Sequence, residues 1–210
     1  MKNYFEKIIN ILFPRKEIDK KLILKLINNR VFLDKKNDIF SLLPYGNKSI
    51  RKSIKELKFY NDTSHASFFG EILFENISEY LIDLEIQENF YNPILITIPL
   101  SYFRKLKRGY NQNNLIVKSF MKSGGDGFIQ WEKDNLKKIK HTRPQSLIKN
   151  RVDRLKNQKN VFKLKNPEKI KNQNIILFDD VYTTGATINE ASKVLKKAGA
   201  KNIKVIVLAH

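Results

Sequence analysis

The stretch Ile175-Ile-Leu-Phe-Asp-Asp-Val-Tyr-Thr-Thr-Gly-Ala-Thr187 decides the fold of this 210-residue chain. Its four apolar residues predict a buried strand, which ends abruptly in Asp179 and Asp180. The amphipathic pattern from Asn189 to Ala198 predicts a helix after it, and Ile203 to Ala209 predicts another buried strand. Strand, loop, helix and strand in this order form a βαβ unit, so we expect a parallel sheet with a right-handed crossover.

Apolar spacing along the rest of the chain predicts further elements around this unit. The predicted helices span residues 3–13, 17–29, 49–58, 66–89 and 111–122, and Gly124 and Gly125 end the last of them. The predicted strands span residues 31–33, 39–44, 93–99, 128–132 and 161–164. We therefore expect an α/β fold in which helices flank a mostly parallel, twisted sheet. A helical extension at 1–39 is expected to precede the main domain at 40–210.

The composition excludes several classes of protein and site. The chain has no cysteine and only three histidines, which rules out disulfides, cysteine nucleophiles and thiolate zinc sites. The first 14 residues are too short and interrupted for a signal peptide, and no stretch approaches about 18 apolar residues. These features predict a cytoplasmic protein without a membrane span.

Positive charge is concentrated in the middle of the chain. The formal net charge is +19, and residues 104–171 carry 20 basic and 5 acidic side chains. A lysine-rich genome accounts for a high lysine content everywhere, but it does not explain this clustering. The clustering indicates a polyanionic partner, either a small molecule bearing a diphosphate or a nucleic acid.

The polar residues after the first strand suit a phosphorylated sugar. Ligands of parallel sheets bind beyond the carboxyl ends of the strands, where Asp179 and Asp180 are expected. Adjacent carboxylates accept hydrogen bonds, as a ribose diol requires, and a helix N-terminus with hydroxyls favours a phosphate. The candidate phosphate-binding residues are Thr183, Thr184, Gly185, Ala186 and Thr187.

A purely structural interpretation of this stretch is also possible. The Thr-Thr-Gly element could be only a turn with a helix cap, and the two aspartates could be a solvated strand end. The complete order of strand, acids, spacer, hydroxyl-rich loop and amphipathic helix favours the ligand site. It is not a nucleotide P-loop, because no Gly-Lys-Ser/Thr follows and the acids precede the loop.

The thirteen-residue stretch resembles the phosphoribosyl diphosphate (PRPP) motif of type I phosphoribosyltransferases. Further elements resemble the ComF family of competence-associated, phosphoribosyltransferase-like proteins, and the resemblance covers roughly residues 40–210. These elements are Leu43-Pro-Tyr-Gly46, the Lys58-Phe-Tyr60 region, Pro99-Leu-Ser101, Arg108-Gly-Tyr-Asn-Gln112, Thr142-Arg-Pro-Gln145, Leu147, Arg154, Asn157 and Phe162. Many ComF proteins begin with a four-cysteine zinc ribbon, which this chain lacks.

The resemblance implies a type I phosphoribosyltransferase-like fold and a set of site residues. Ser101 would lie in a diphosphate loop, residues 133–160 would form a basic hood, and Mg²⁺ would bind through PRPP without direct protein ligands. Asp179, Asp180 and Arg108 would be the catalytic group. The candidate contacts for diphosphate or DNA are Arg104, Arg108, Asn111, Gln112, Arg143, Gln145, Arg151 and Arg154. The alternative for the arginines is a solvated helix start or a surface loop with ordinary salt bridges.

The resemblance implies a PRPP-binding protein that acts in natural transformation and handles single-stranded DNA in the cytosol, with competence or DNA-uptake proteins as partners. The basic middle segment is consistent with this function, since phosphate neutralisation supplies most sequence-independent affinity. The alternative is an active PRPP-dependent transferase of nucleotide metabolism or salvage. No base-recognition element is evident in the sequence, so the acceptor stays open.

Overall fold

The structure, a computed structural model, describes residues 20–27, 32–34, 39–59, 63–140 and 160–210. The helices are α1 Lys20–Ile27, α2 Lys48–Phe59, α3 Thr63–Glu88, α4 Tyr102–Arg108, α5 Gln112–Lys122 and α6 Ala186–Lys197. The strands are β1 Phe32–Asp34, β2 Ile39–Leu43, β3 Ile94–Thr97, β4 Gln130–Trp131, β5 Leu136–Lys138, β6 Phe162–Leu164, β7 Asn174–Val181 and β8 Asn202–Ala209. Single 3₁₀ turns lie at Gly125–Gly127 and Pro167–Lys169.

Six strands form the main sheet in the order β1-β2-β8-β7-β3-β4. All neighbours pair in parallel except β1, which is antiparallel to β2. Strands β5 and β6 form a separate antiparallel pair. This arrangement confirms the predicted α/β fold with a mostly parallel sheet.

Strand β7 separates the two hydrophobic cores of the domain. Its side chains alternate between the faces of the sheet, as the pleat of a strand requires. Ile176 and Phe178 lie in the core formed with α2, α3 and α5. Ile175 and Leu177 lie in the other core, which includes side chains of α6 and of the β5-β6 pair. The same alternation fixes where the next residues of β7 point.

Several elements differ from the predicted ones. Strand β7 extends through both aspartates to Val181, because Asp179 and Val181 still pair with β8. Helix α6 begins three residues earlier than predicted, directly after Gly185, whose φ of 71° suits glycine. Strand β1, predicted at 31–33, spans Phe32–Asp34 and pairs with β2, so part of the 1–39 segment joins the main sheet. The predicted helix at 3–13 lies outside the described residues.

Two short elements were not predicted, α4 and β5. Helix α4 has seven residues, none of them buried, and ends at Gly109 in the left-handed conformation, so it is too short for apolar periodicity to indicate it. Strand β5 has one buried apolar residue, Leu136. The side chain of Asn135 accepts a hydrogen bond from the backbone N–H of Asn166 at 2.8 Å and donates one to the carbonyl of Asn166 at 3.0 Å. These two bonds join β5 to the chain after β6.

In the ranges that the structure describes, no helix is both long and apolar enough to cross a bilayer. The longest of these helices, α3, has 26 residues and includes acidic side chains.

Helices α3 and α5 pack closely at Gly70. A Cβ atom built on Gly70 would collide with the Cβ of Ser119 and lie 2.7 Å from the backbone nitrogen of Phe120. The hydroxyl of Ser119 donates to the carbonyl of Ser67 at 3.1 Å across the same contact. The approach of the two helices therefore depends on the missing side chain.

Replacing Gly70 with alanine is expected to lower the free energy of unfolding by a net of about 1–2 kcal/mol. The added methyl forces α3 and α5 apart at a cost of about 2–3 kcal/mol, and the roughly 1 kcal/mol that alanine gains over glycine within a helix offsets part of it. Urea unfolding measures the change. Gly46→Ala is the control, since a Cβ there meets nothing within 4 Å. Equal midpoints for the two variants would contradict the close approach.

Candidate functional site

The carboxyl ends of the parallel strands form one edge, and the two aspartates of β7 lie on it. Asp180 continues the face of Ile176 and Phe178, whereas Asp179 continues the opposite face. The two carboxylates are adjacent in sequence but have different neighbours. Each must therefore be considered separately.

Asp180 is buried, and two side chains from other elements contact it. The amide Nε2 of Gln112 donates to its Oδ2 at 3.0 Å, and Nζ of Lys58 lies 2.7 Å from the same oxygen. Lys58 lies in the last turn of α2 and Gln112 in the first turn of α5. A buried carboxylate needs such partners, since an unpaired buried charge is costly. Asp180 therefore joins β7 to two helices.

Asp179 is more accessible and accepts two hydrogen bonds on Oδ1. Asn113 donates to it at 3.0 Å, and the backbone N–H of Asp180 donates at 2.9 Å. Burial and then the Asp180 carboxylate raise the pKa of Asp179 to about 7, although the Asn113 bond and Lys58 oppose the rise. The protonation of the Asp179 carboxyl therefore changes near neutral pH.

The start of α5 fixes the loop that follows β3. The side chain of Asn111 caps the helix by accepting from the N–H of Asn113 at 3.2 Å. The side-chain amides of Asn111 and Asn113 both donate to the carbonyl of Ile98 at 3.1 Å. The hydroxyl of Thr97 donates to Asn114 at 2.7 Å. These bonds hold the 98–101 loop beside the carboxylates.

Cations from α4 and β5 lie on the same side of the site. Arg108 donates to Oε1 of Gln112 at 3.1 Å, which connects it through Gln112 to Asp180. Burial and then Arg108 lower the pKa of Arg104. Burial and then Arg104 lower the pKa of Lys138 to about 8, against the attraction of Asp179. Arg104, Arg108 and Lys138 therefore lie close enough for their positive charges to add, which favours an anion between them.

The loop after β7 has a compact backbone. A Cβ on Gly185 would collide with the hydroxyl of Tyr182. The ring of Tyr182 packs edge-on against the ring of His210, with the two ring centroids 4.8 Å apart. The backbone N–H of Tyr182 donates to the carbonyl of Ala209 at 2.9 Å. Residue 185 therefore has to be glycine for both its φ and the space beside it. The N-terminus of α6 follows directly, where unpaired N–H groups and the helix dipole favour a phosphate.

The family described as "Phosphoribosyl transferase domain" matches residues 70–210, which include the β3 loop, both aspartates and the Gly185 turn. The chain belongs to this phosphoribosyl transferase domain family. It is 37% identical over 119 residues to Competence protein F of Haemophilus influenzae, covering 55% of this chain and 49% of that protein. These matches, with those that follow, confirm the ComF resemblance.

Two further relatives of this phosphoribosyl transferase domain have related names. Competence protein ComFC of Streptococcus pneumoniae is 33% identical over 164 residues, covering 78% of this chain and 64% of that protein. DNA utilization protein YhgH of Escherichia coli O157:H7 is 27% identical over 159 residues, covering 75% of this chain and 65% of that protein. The chain spans about half to two thirds of the length of these curated relatives.

The phosphoribosyl transferase domain brings most of the predicted site residues to one edge. Ser101 is buried at the start of α4, and its backbone bridges to Lys138. Arg104 and Arg108 are half-buried, while Asn111 and Gln112 are buried and hold the loop and Asp180. Gly185 and Ala186 are buried, Thr184 and Thr187 half-buried, and Thr183 exposed. The predicted hood residues Arg143, Gln145, Arg151 and Arg154 lie outside the described residues.

The structure adds three residues that the sequence did not name individually for the site: Lys58, Asn113 and Lys138, the last of which lies within the predicted hood at 133–160. Asn113 directly follows Asn111 and Gln112, and three consecutive amide side chains at a helix start were a usable signal. Lys58 lies 122 positions before Asp180, so no local spacing indicated their contact. Lys138 approaches the site only because β5 bridges to Ser101.

Replacing Lys58 with methionine is expected to lower the free energy of unfolding by about 2–4 kcal/mol, since it leaves a buried carboxylate without its cation. The effect lies below that of a fully enclosed pair because the Lys58 side chain is 23% exposed. Chemical denaturation at pH 7 measures it. Lys55→Met, at an exposed position of the same helix, is the control.

A second variant tests whether the loss comes from the ion pair. Lys58→Met combined with Asp180→Asn is expected to be more stable than the sum of the two single losses, because the neutral amide needs no cation. Strictly additive losses would contradict a direct interaction between Lys58 and Asp180.

Proposed function

We propose that this chain is a PRPP-binding, ComF-type protein that handles single-stranded DNA in the cytosol during natural transformation. The observation that carries PRPP binding is the placement of Asp179 and Asp180 beside the Gly185 turn. Two carboxylates that can accept from a diol and a helix start that suits a phosphate lie at one sheet edge, which supports binding of a ribose 5-phosphate. Partners among competence or DNA-uptake proteins belong to the same proposal.

Each part of PRPP has a candidate partner in this arrangement. The ribose diol would donate to the carboxylate oxygens, with Asp179 the more accessible of the two acids. The 5-phosphate would contact the residues from Thr183 to Thr187 at the start of α6. The diphosphate would lie near Ser101, where Arg104, Arg108 and Lys138 supply positive charge.

The donor set also fits Mg²⁺ carried by the diphosphate. In the described ranges, no group of three or more His, Asp or Glu side chains converges as a metal site. Mg²⁺ takes oxygen ligands and keeps several waters when it binds with substrate phosphates, so the diphosphate oxygens and water would hold it without a direct protein ligand. The metal would neutralise diphosphate charge.

PRPP binding is expected to disappear in the double variant Asp179→Asn/Asp180→Asn, because both diol acceptors lose their charge. Isothermal titration calorimetry with PRPP and Mg²⁺ at pH 8, above the raised pKa of Asp179, measures this. Asp126→Asn, at an exposed site on another loop, is the matched control. Unchanged affinity in the double variant would overturn the assignment of the site.

Two single variants guard against misfolding in this test. Asp179→Asn leaves the Lys58–Asp180 pair intact and is expected to weaken binding at least about tenfold, the loss of one charge-assisted hydrogen bond. Gly185→Ala should weaken binding as well, since the added methyl displaces Tyr182 from the loop.

The DNA part of the proposal draws on charge and on relatives. The curated relatives carry the names Competence protein F, Competence protein ComFC and DNA utilization protein YhgH. The excess of basic residues between 104 and 171 exceeds what one diphosphate needs. A cation-rich surface without base-specific contacts suits the phosphate backbone of DNA.

The second candidate function is an active phosphoribosyltransferase, favoured by the cations beside Asp179. Arg104, Arg108 and Lys138 would stabilise the negative charge on a leaving diphosphate. The proposed hood at 133–160 would exclude water from the site. The ring oxygen of the ribose stabilises the anomeric carbon as the bond to diphosphate breaks, and an acceptor then forms the new bond.

A diphosphate-release assay separates the two functions. With PRPP, Mg²⁺ and a panel of bases and amines, a transferase is expected to release diphosphate in an acceptor-dependent manner, and Arg108→Gln should lower the rate about 100-fold or more, as expected for removal of a charge-stabilising group. A binding protein is expected to leave PRPP intact with every acceptor. If calorimetry shows that PRPP binds but no acceptor in the panel causes release of diphosphate, the transferase function is excluded for those acceptors.

A further inference from the structure

Helix α4 has two faces of different character. Arg104 and Arg108 are four residues apart and therefore share one side of the helix. Both are half-buried, and Arg108 reaches Asp180 through Gln112. This side belongs to the site described above.

The opposite side of α4 carries large apolar side chains in water. Tyr102 is 70% exposed, Phe103 62% and Leu106 70%, and the two rings lie 5.8 Å apart at 77°. Lys105 and Lys107, which precede and follow Leu106 in the sequence, are also exposed. We call these five residues the aromatic-basic face. Within the described ranges, no other helix or strand has as many strongly exposed large apolar side chains.

Such a face is costly unless something binds to it. Exposed apolar groups of this size mark interaction sites rather than ordinary surface. All seven residues of α4 are apolar, aromatic or basic, with four cations and no acid, so the partner must offer flat apolar groups and negative charge together. Unpaired nucleobases joined by phosphates have both, whereas a duplex hides the faces of its bases.

We propose that the aromatic-basic face of α4 binds single-stranded nucleic acid, with bases stacked on Tyr102 and Phe103 and phosphates beside Lys105 and Lys107. This inference rests on the proposed DNA function and locates it on named residues. The face lies on the outer side of the helix that also presents Arg104 and Arg108 to the carboxylates. Exposed Lys137, Ile139 and Lys140 lie in the segment that approaches the start of α4, because Lys138 bridges to Ser101.

Fluorescence anisotropy with a labelled oligothymidine of roughly 16 nucleotides tests the proposal. The double variant Tyr102→Ala/Phe103→Ala is expected to weaken binding at least about tenfold, since each lost stacking partner reduces affinity several-fold or more. Tyr102→Trp/Phe103→Trp should retain the affinity of the unmodified protein. The matched control is Tyr91→Ala, because Tyr91 is a half-exposed tyrosine that precedes β3 at the opposite edge of the sheet.

The salt dependence of DNA affinity tests the role of Lys105 and Lys107. Lys105→Gln/Lys107→Gln should reduce the slope of log affinity against log salt by about 0.7 for each cation removed. An unlabelled duplex of the same length should compete poorly. PRPP calorimetry on every variant should stay unchanged, which shows that the fold and the carboxylate site are intact.

The outcomes separate this inference from the function on which it rests. If the unmodified protein does not bind the oligonucleotide at low salt, the proposed DNA function fails, and this inference fails with it. If it binds but the alanine double variant binds equally well, only the inference is overturned. A loss of self-association in the double variant, seen by sedimentation with DNA affinity unchanged, would assign the face to a second copy of the chain and overturn it too.

Discussion

The burial of Asp180 at the end of β7 is the constraint on which the site depends. A carboxylate on that face of the sheet has to be compensated, and Lys58 and Gln112 approach the same oxygen to do so. The pair brings the end of α2 and the start of α5 to one strand. Tyr110 reinforces the contact, since its hydroxyl donates to the carbonyl of Leu57 at 2.8 Å, next to Lys58. The arrangement leaves Asp179, on the other face, as the more accessible acceptor.

The same contacts determine how the ligand-facing parts are arranged. Gln112 accepts from Arg108 while it donates to Asp180, so the orientation of α4 is coupled to that of the carboxylate. The amides of Asn111 and Asn113 fix the loop from which α4 begins. Helix α4 therefore turns two arginines toward the site and two aromatic rings toward solvent. Under the two proposals above, this short helix would present positive charge to PRPP on one side and to single-stranded DNA on the other.

The sequence predicted the parallel sheet, the strand before the aspartates and a helix at 111–122, because apolar runs and apolar residues at helical spacing carry strong local signals. It did not predict α4, whose seven residues are too few to show apolar periodicity, or β5, which has only one buried apolar side chain. The Lys58–Asp180 contact joins residues far apart in the chain, and periodicity carries no information about such contacts. The exposed rings of α4 were also unforeseen, since aromatic residues are more often buried than exposed. The ligand itself stays a prediction supported by position and chemistry.

A crystal structure of the complex with PRPP and Mg²⁺ tests the central claim most directly. The account predicts the ribose diol within hydrogen-bond distance of the Asp179 and Asp180 carboxylates and the 5-phosphate at the start of α6 above Gly185. It also predicts the diphosphate beside Ser101, with Arg104, Arg108 and Lys138 nearest to it. PRPP bound elsewhere, or bound here with its diol away from both aspartates, would contradict the account.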